Sequence, residues 1–155
     1  MVKKIVLWAL VVGCMVLIFS FSAQGAGDSM DLSDGILIRL LDFLHIDLPM
    51  ETITFMRVFI RKVAHFCIYG LLGFLVYLLF GCGYDIAAKK ALPAATAWCM
   101  AYAASDEVHQ LFVAGRSGMV KDVFIDTAGA ICGIGAAWLI CTLIAVLKKR
   151  RRKNG

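Results

Sequence analysis

Ten side chains stand out by type and spacing as able to do chemistry together: Arg61, Lys62, His65, Asp106, Glu107, His109, Gln110, Arg116, Asp122 and Asp126. Arg61, His65 and Tyr69 stand four residues apart and share one stripe of a helix. Asp106 shares a face with His109 and Gln110 at spacings of three and four, and Asp122 and Asp126 are again four apart. Four kinds of chemistry suit such a set. Arg61, Lys62 and Arg116 can pair with Asp106, Glu107, Asp122 and Asp126 in a network that locks helices together. The same three cations, with His109, Gln110, Asp122 and Asp126 around them, can hold a phosphate or carboxylate of a ligand. Glu107 or His65, with Asp106 beside them, can act as acid and base while the cations stabilise a developing anion. A divalent ion on His65, Glu107, His109 or the aspartates is the fourth, but neither HExxH nor a comparable spacing is present, so no metal is expected. There is also no Gly-x-Ser-x-Gly and no phosphate-binding loop, and no cofactor is expected.

These residues must be positioned by elements that the composition already restricts. The chain has 155 residues, 61% apolar and 17% charged, against a usual 45–50% and about a quarter. A soluble domain of this size has too much surface to hide that much apolar side chain. A soluble enzyme, a disordered tail and a nucleic-acid-binding domain are therefore excluded, and one integral membrane domain over 1–155 remains. A helical span needs about 20 apolar residues. Four runs qualify, at about 4–22, 56–81, 90–111 and 122–147. The third has only 15 uncharged residues, 91–105, about 22 Å of helix against about 30 Å of hydrocarbon. It must continue through Asp106, Glu107, His109 and Gln110 to cross.

The charges orient the spans. Lys3, Lys4, Lys89, Lys90 and the six basic residues of the tail 148–155 face only Asp85, whereas the other connections hold ten acids and six bases. Lysine and arginine in short loops collect on the cytoplasmic side. Both termini and the 82–90 loop are therefore expected inside, and 23–60 and 106–126 outside. The net charge of +5 then reports topology, and no nucleic acid is needed to explain it. In 36–46, Ile36, Leu37, Leu40, Leu41, Phe43 and Leu44 form a broad apolar face with Arg39, Asp42 and His45 on a polar edge. That pattern predicts a short helix lying in the interface within the first outer loop. Lys3-Lys4, the first apolar run and Ala23-Gln24-Gly25 have the layout of a signal peptide, but the run is long for one, and a retained span is expected. The six cysteines show no disulfide or zinc spacing and read as small buried hydrophobes. Gly129-x-x-x-Gly133 permits close approach between spans.

On this topology all ten polar residues fall at the outer membrane face, from three spans and one turn. A charge inside the membrane is costly, so several of them are economical only when turned inward into one hydrated pocket.

The motifs also resemble a known family. Phe19-Ser20-Phe21-Ser22 closes the first span. Arg61-Lys62-Val63-Ala64-His65-Phe66 precedes Tyr69, Gly70 and Leu72. Ser105-Asp106-Glu107-Val108-His109-Gln110 leads to Phe112-Val113 and Gly115-Arg116, and Asp122, Val123, Asp126, Gly129 and Gly133 follow. In this order and spacing they closely resemble the VanZ-like family of small bacterial membrane proteins, over about 19–133. The resemblance implies several transmembrane helices in the plasma membrane and a role in lowering susceptibility to lipoglycopeptides such as teicoplanin. Its polar positions carry over to Lys62, His65, Asp106, Glu107, Gln110, Arg116, Asp122 and Asp126.

The expectation is thus an all-α, multi-pass protein of the bacterial plasma membrane: four spans, an interfacial helix in the first outer loop, and cytoplasmic termini. Its outward-facing pocket is expected to bind a lipid head group or a lipid-linked cell-wall intermediate. An intramembrane hydrolase or transferase using Glu107 and His65, and a structural accessory protein, are the alternatives.

Overall fold

The computed structural model describes residues 1–23, 48–113 and 118–154, together with positions 35, 38, 39, 43 and 45. Among the described residues it is helical, with no strand. Helix α1 is Val2–Ser22. Helix α2, Met50–Tyr77, runs on into a six-residue π-helical segment, Leu78–Gly83. Helix α3 is Ala88–Gln110 and α4 is Val120–Asn154. The helix expected over 36–46 falls mostly outside the described residues, as do Arg116 and most of the 106–126 connection's turn.

Local chemistry accounts for the ends. Pro49 is extended (ψ 145°) and begins α2, where Glu51 lies in the first turn and favours the positive end of the helix dipole. Gly81 and Gly83 close the π-helical segment, and Asp85 takes a left-handed conformation (φ 56°) in the turn to α3. The basic tail is not a separate strap. Lys148 to Asn154 continue α4, giving a helix of 35 residues, about 52 Å at 1.5 Å per residue.

Among the described residues three helical stretches, Val2–Ser22, Met50–Gly83 and Val120–Arg152, are long and apolar enough to cross a membrane. Helix α3 is a fourth helix of more mixed composition, with Lys89 and Lys90 at its start and Asp106 and Glu107 near its end.

The helices alternate in direction. Trp8 Nε1 donates to Tyr84 Oη (3.0 Å), and Lys4 Nζ sits 4.5 Å above the Tyr84 ring, joining the start of α1 to the end of α2. The Gln110 amide donates to Ser22 Oγ (2.8 Å), joining the ends of α1 and α3. Lys62 contacts Asp122 and Cys82 contacts Cys141 (3.5 Å), so α2 and α4 run parallel. All of Lys3, Lys4, Lys89, Lys90 and the basic tail therefore belong to one end of the bundle.

The core is a set of narrow stripes. In α1 it is Leu7, Val11, Cys14, Ile18 and Ser22; in α3 it is Ala91, Ala95, Cys99 and Ala103, one small residue per turn. Tyr69, Leu72 and Val76 of α2 and Ala130, Ile134 and Ala137 of α4 complete it. Large apolar side chains such as Leu10, Leu17, Leu71, Ile131, Leu139 and Leu143 cover the outside, as suits a bundle whose solvent is hydrocarbon. Cys67 and Cys132 lie on that outer surface, so the expectation of buried cysteines fails for these two.

The tightest packing joins α2 to α4, the most extensive helix pair. A Cβ on Gly129 would run into the Phe66 carbonyl oxygen, one on Gly133 into that of Gly70, and one on Gly73 into that of Ala130. The Gly-x-x-x-Gly pair thus lets α4 lie backbone-to-backbone on α2.

Candidate functional site

At the end of the bundle away from the lysine-rich one, three helices converge on a small polar cavity. Helix α2 contributes Arg61, Lys62 and His65, α3 contributes Glu107 and Gln110, and α4 contributes Asp122, Ile125 and Asp126. The close α2–α4 crossing holds two of these rows face to face. Lys62 Nζ bonds Asp122 Oδ1 with both side chains partly exposed, at 33% and 22%. One turn deeper, His65 Nδ1 lies 3.6 Å from Asp126 Oδ2, an electrostatic contact longer than a direct hydrogen bond. One turn deeper again, the Tyr69 ring lies 6.5 Å from that of His65 and 6.2 Å from that of Tyr102, which in turn donates to the Met15 carbonyl (2.6 Å).

Helix α3 closes the third side. Glu107 Oε2 accepts the Met119 backbone N–H (2.7 Å), which pins the entry to α4 onto α3. Gly118 makes that approach possible, because a Cβ there would meet the Glu107 carbonyl oxygen. Gln110 links two neighbours through one amide: it donates to Ser22 Oγ and, at a long 3.4 Å, to Asp106 Oδ2.

Behind the cavity lies a buried polar group. Asp106 is 2% exposed and Asp126 is 1% exposed. Asp106 Oδ1, both Asp126 carboxylate oxygens and the Tyr69 hydroxyl have no hydrogen-bond partner among the described residues. A ligand atom of His65 and one oxygen each from Asp106 and Asp126 lie within 4.8 Å of one another.

Most of the residues singled out by their chemistry are therefore brought together: Arg61, Lys62, His65, Glu107, Gln110, Asp122 and Asp126 around the cavity, with Asp106 directly behind it. His109 is not among them. Its ring stacks on Phe19 of α1 at 4.4 Å between centroids, on another side of α3. Arg116 lies outside the described residues. Two contributors escaped the reading of polar spacing. Ser22 closes the buried stripe Ile18–Ser22 of α1 and was visible only as part of Phe19-Ser20-Phe21-Ser22; the Met119 N–H is a backbone group with no signature.

The electrostatics differ from a simple anion trap. Lys62 is committed to Asp122, and the two described cations, Arg61 and Lys62, face four carboxylates, Asp106, Glu107, Asp122 and Asp126. Counted as formal charges among the described residues, with His65 neutral, the cluster sums to −2. Its mouth offers Arg61, which has no ion-pair partner among the described residues; its floor offers carboxylates backed by an imidazole.

No curated protein and no solved structure matches the chain. A family model described as VanZ/LLP1 matches residues 7–143, a range that takes in every residue of the cavity and most of each of the four helices. The chain belongs to the VanZ/LLP1 family.

Proposed function

We propose that this is a four-span protein of the bacterial plasma membrane, with both termini cytoplasmic, whose polar cavity faces outward and engages the anionic head group of a lipid or of a lipid-linked cell-wall intermediate. By that binding it lowers susceptibility to lipid-tailed glycopeptides such as teicoplanin. The alternating helices support the topology, because they gather Lys3, Lys4, Lys89, Lys90 and the tail at one end, and such lysine and arginine clusters stay inside. Helix α3 has 23 residues, about 34 Å, enough for a hydrocarbon core of about 30 Å. Its buried Asp106, Glu107 and Gln110 turn toward the other helices instead of toward lipid. The interfacial helix of the first outer loop and a single domain over 1–155 belong to the same proposal.

The observation that carries the binding role is the cavity itself, built from charged side chains of three helices at one membrane end, with Arg61 at its mouth. An arginine there suits a phosphate at the head-group level. The cavity has about 20 Å³ in which a water centre can move, so it takes a head group's oxygens at its mouth and not the whole group.

The test is teicoplanin susceptibility of a Gram-positive host expressing the native chain, Arg61→Ala or an empty vector, with membrane levels matched. The proposal expects reduced susceptibility in the native strain and its loss with Arg61→Ala. Equal susceptibility of the native and empty-vector strains contradicts it. A second reading draws on the His65–Asp126 contact, since an imidazole backed by a buried carboxylate suits proton transfer. In an intramembrane hydrolase or transferase Glu107 would be the general base and His65 its proton partner, and Glu107→Gln would abolish activity at normal protein yield.

A further inference from the structure

We propose that His65, Asp106 and Asp126 bind one divalent cation of mixed nitrogen and oxygen preference, such as Mn²⁺ or Zn²⁺. The inference goes beyond head-group binding and stands without it. Its first support is geometry. One ligand from each of α2, α3 and α4 converges, with the three donor atoms within 4.8 Å of one another. Donors on a common ion at about 2.0–2.2 Å lie roughly 3–4 Å apart. The set is therefore within about 1 Å of coordinating separations.

The second support is independent of spacing. Asp106 and Asp126 are buried to 2% and 1% exposure, and three of their four oxygens have no hydrogen-bond partner among the described residues. Buried polar atoms are normally satisfied, and buried carboxylates without compensation are costly. Neither described cation that lines the cavity meets this need. Lys62 is bonded to Asp122, and Arg61 lines the outer cavity without an ion pair to either aspartate. Protonated His65 would balance one charge of two. A divalent ion balances both and takes up one oxygen of each carboxylate.

The donor set selects the ion class. Carboxylates suit Mg²⁺, Ca²⁺ and Mn²⁺, imidazole suits Zn²⁺ and its neighbours, and no thiolate is present to favour softer metals. One nitrogen and two carboxylates fall between these classes. The adjoining cavity of about 20 Å³ admits a water to complete the coordination. An ion there also offsets the formal excess of two negative charges among the described residues of the cluster, which lowers the repulsion that an anionic head group would otherwise meet.

The test uses the full chain in detergent, stripped with EDTA and carrying no polyhistidine tag. Mn²⁺ is titrated and the free ion is read by its electron paramagnetic resonance signal. The proposal expects one Mn²⁺ bound per chain, with nitrogen coupling from a histidine in the bound-state spectrum of the native protein. Asp126→Asn and His65→Gln should weaken binding by about tenfold or more, and the distant Glu51→Gln should leave it unchanged. Zn²⁺ should displace the Mn²⁺. Native protein that leaves Mn²⁺ free overturns the proposal, as does a bound ion without nitrogen coupling, or equal binding in folded Asp126→Asn. If the variants fail to fold, stoichiometry and nitrogen coupling of the native protein decide alone. Because no lipid or antibiotic enters the assay, failure of the metal site and failure of head-group binding are separable.

Discussion

Substituting Gly133 by alanine should weaken the whole bundle, because that one methyl has nowhere to go. Its Cβ would stand 2.7 Å from the Gly70 carbonyl carbon and 3.1 Å from the Gly70 Cα, and closer still to the carbonyl oxygen. All three atoms are backbone, so no side chain can swing aside. The α2–α4 axes must separate, and that separation opens the Lys62–Asp122 and His65–Asp126 contacts two to three turns away on the same pair. Overpacking of this kind costs about 1–3 kcal/mol, or roughly 5- to 150-fold in the unfolding equilibrium. Gly135 is the internal control: it lies in the same helix with nothing within 4 Å of a Cβ. There the change to alanine should be neutral or stabilising by up to about 1 kcal/mol. SDS titration of the purified protein in mixed micelles, followed through the fluorescence of Trp8, Trp98 and Trp138, measures both. Equal midpoints for Gly133→Ala and Gly135→Ala would refute the close crossing and with it the positioning of the site.

Further outcomes follow from single contacts. Lys62→Ala and Asp122→Ala should each destabilise, while the double variant should cost less than their sum, with a coupling of about 1 kcal/mol for this partly exposed pair; additive losses in the same titration would show that the pair does not interact. Gln110→Leu strands Ser22 Oγ and Asp106 Oδ2 and should cost about 1–3 kcal/mol. Adding Ser22→Ala should recover part of that loss, and no recovery would count against the link. Tyr102→Phe removes the hydrogen bond to the Met15 carbonyl and should cost about 1 kcal/mol, which thermal retention on gel filtration would register.

The helices could be read from the sequence because uncharged runs bounded by charge have few alternatives in lipid. Gathering Arg61, Lys62 and His65 opposite Asp122 and Asp126 was also legible, since spacings of four keep side chains on one face. His109 lies off the expected face for a geometric reason. At 100° per residue, His109 is 60° to one side of Asp106, whereas Gln110 and Glu107 are 40° and 100° to the other. The cavity lies on the Glu107–Gln110 side, so His109 is turned onto Phe19. The convergence of His65, Asp106 and Asp126 left no linear trace, because three helices supply one donor each. Metal motifs are recognisable in a sequence when two donors share one helix, as in HExxH. Pairing was equally hidden: pooling cations against acids could not tell that Lys62 is taken by Asp122, while three oxygens of Asp106 and Asp126 behind it have no hydrogen-bond partner among the described residues. The alanine stripe of α3 was visible as small residues, but that the glycines of α4 meet α2 and not α3 depended on the register of the crossing.

The central claim is that the convergence of α2, α3 and α4 is open to the outer aqueous phase. It is tested most directly by labelling intact cells with a membrane-impermeant maleimide. The six native cysteines are first replaced, and Arg61→Cys at the cavity is compared with Lys89→Cys at the start of α3. Position 61 should react from outside and position 89 only after the cells are permeabilised. Labelling of 89 in intact cells, with 61 reacting only after permeabilisation, would contradict it.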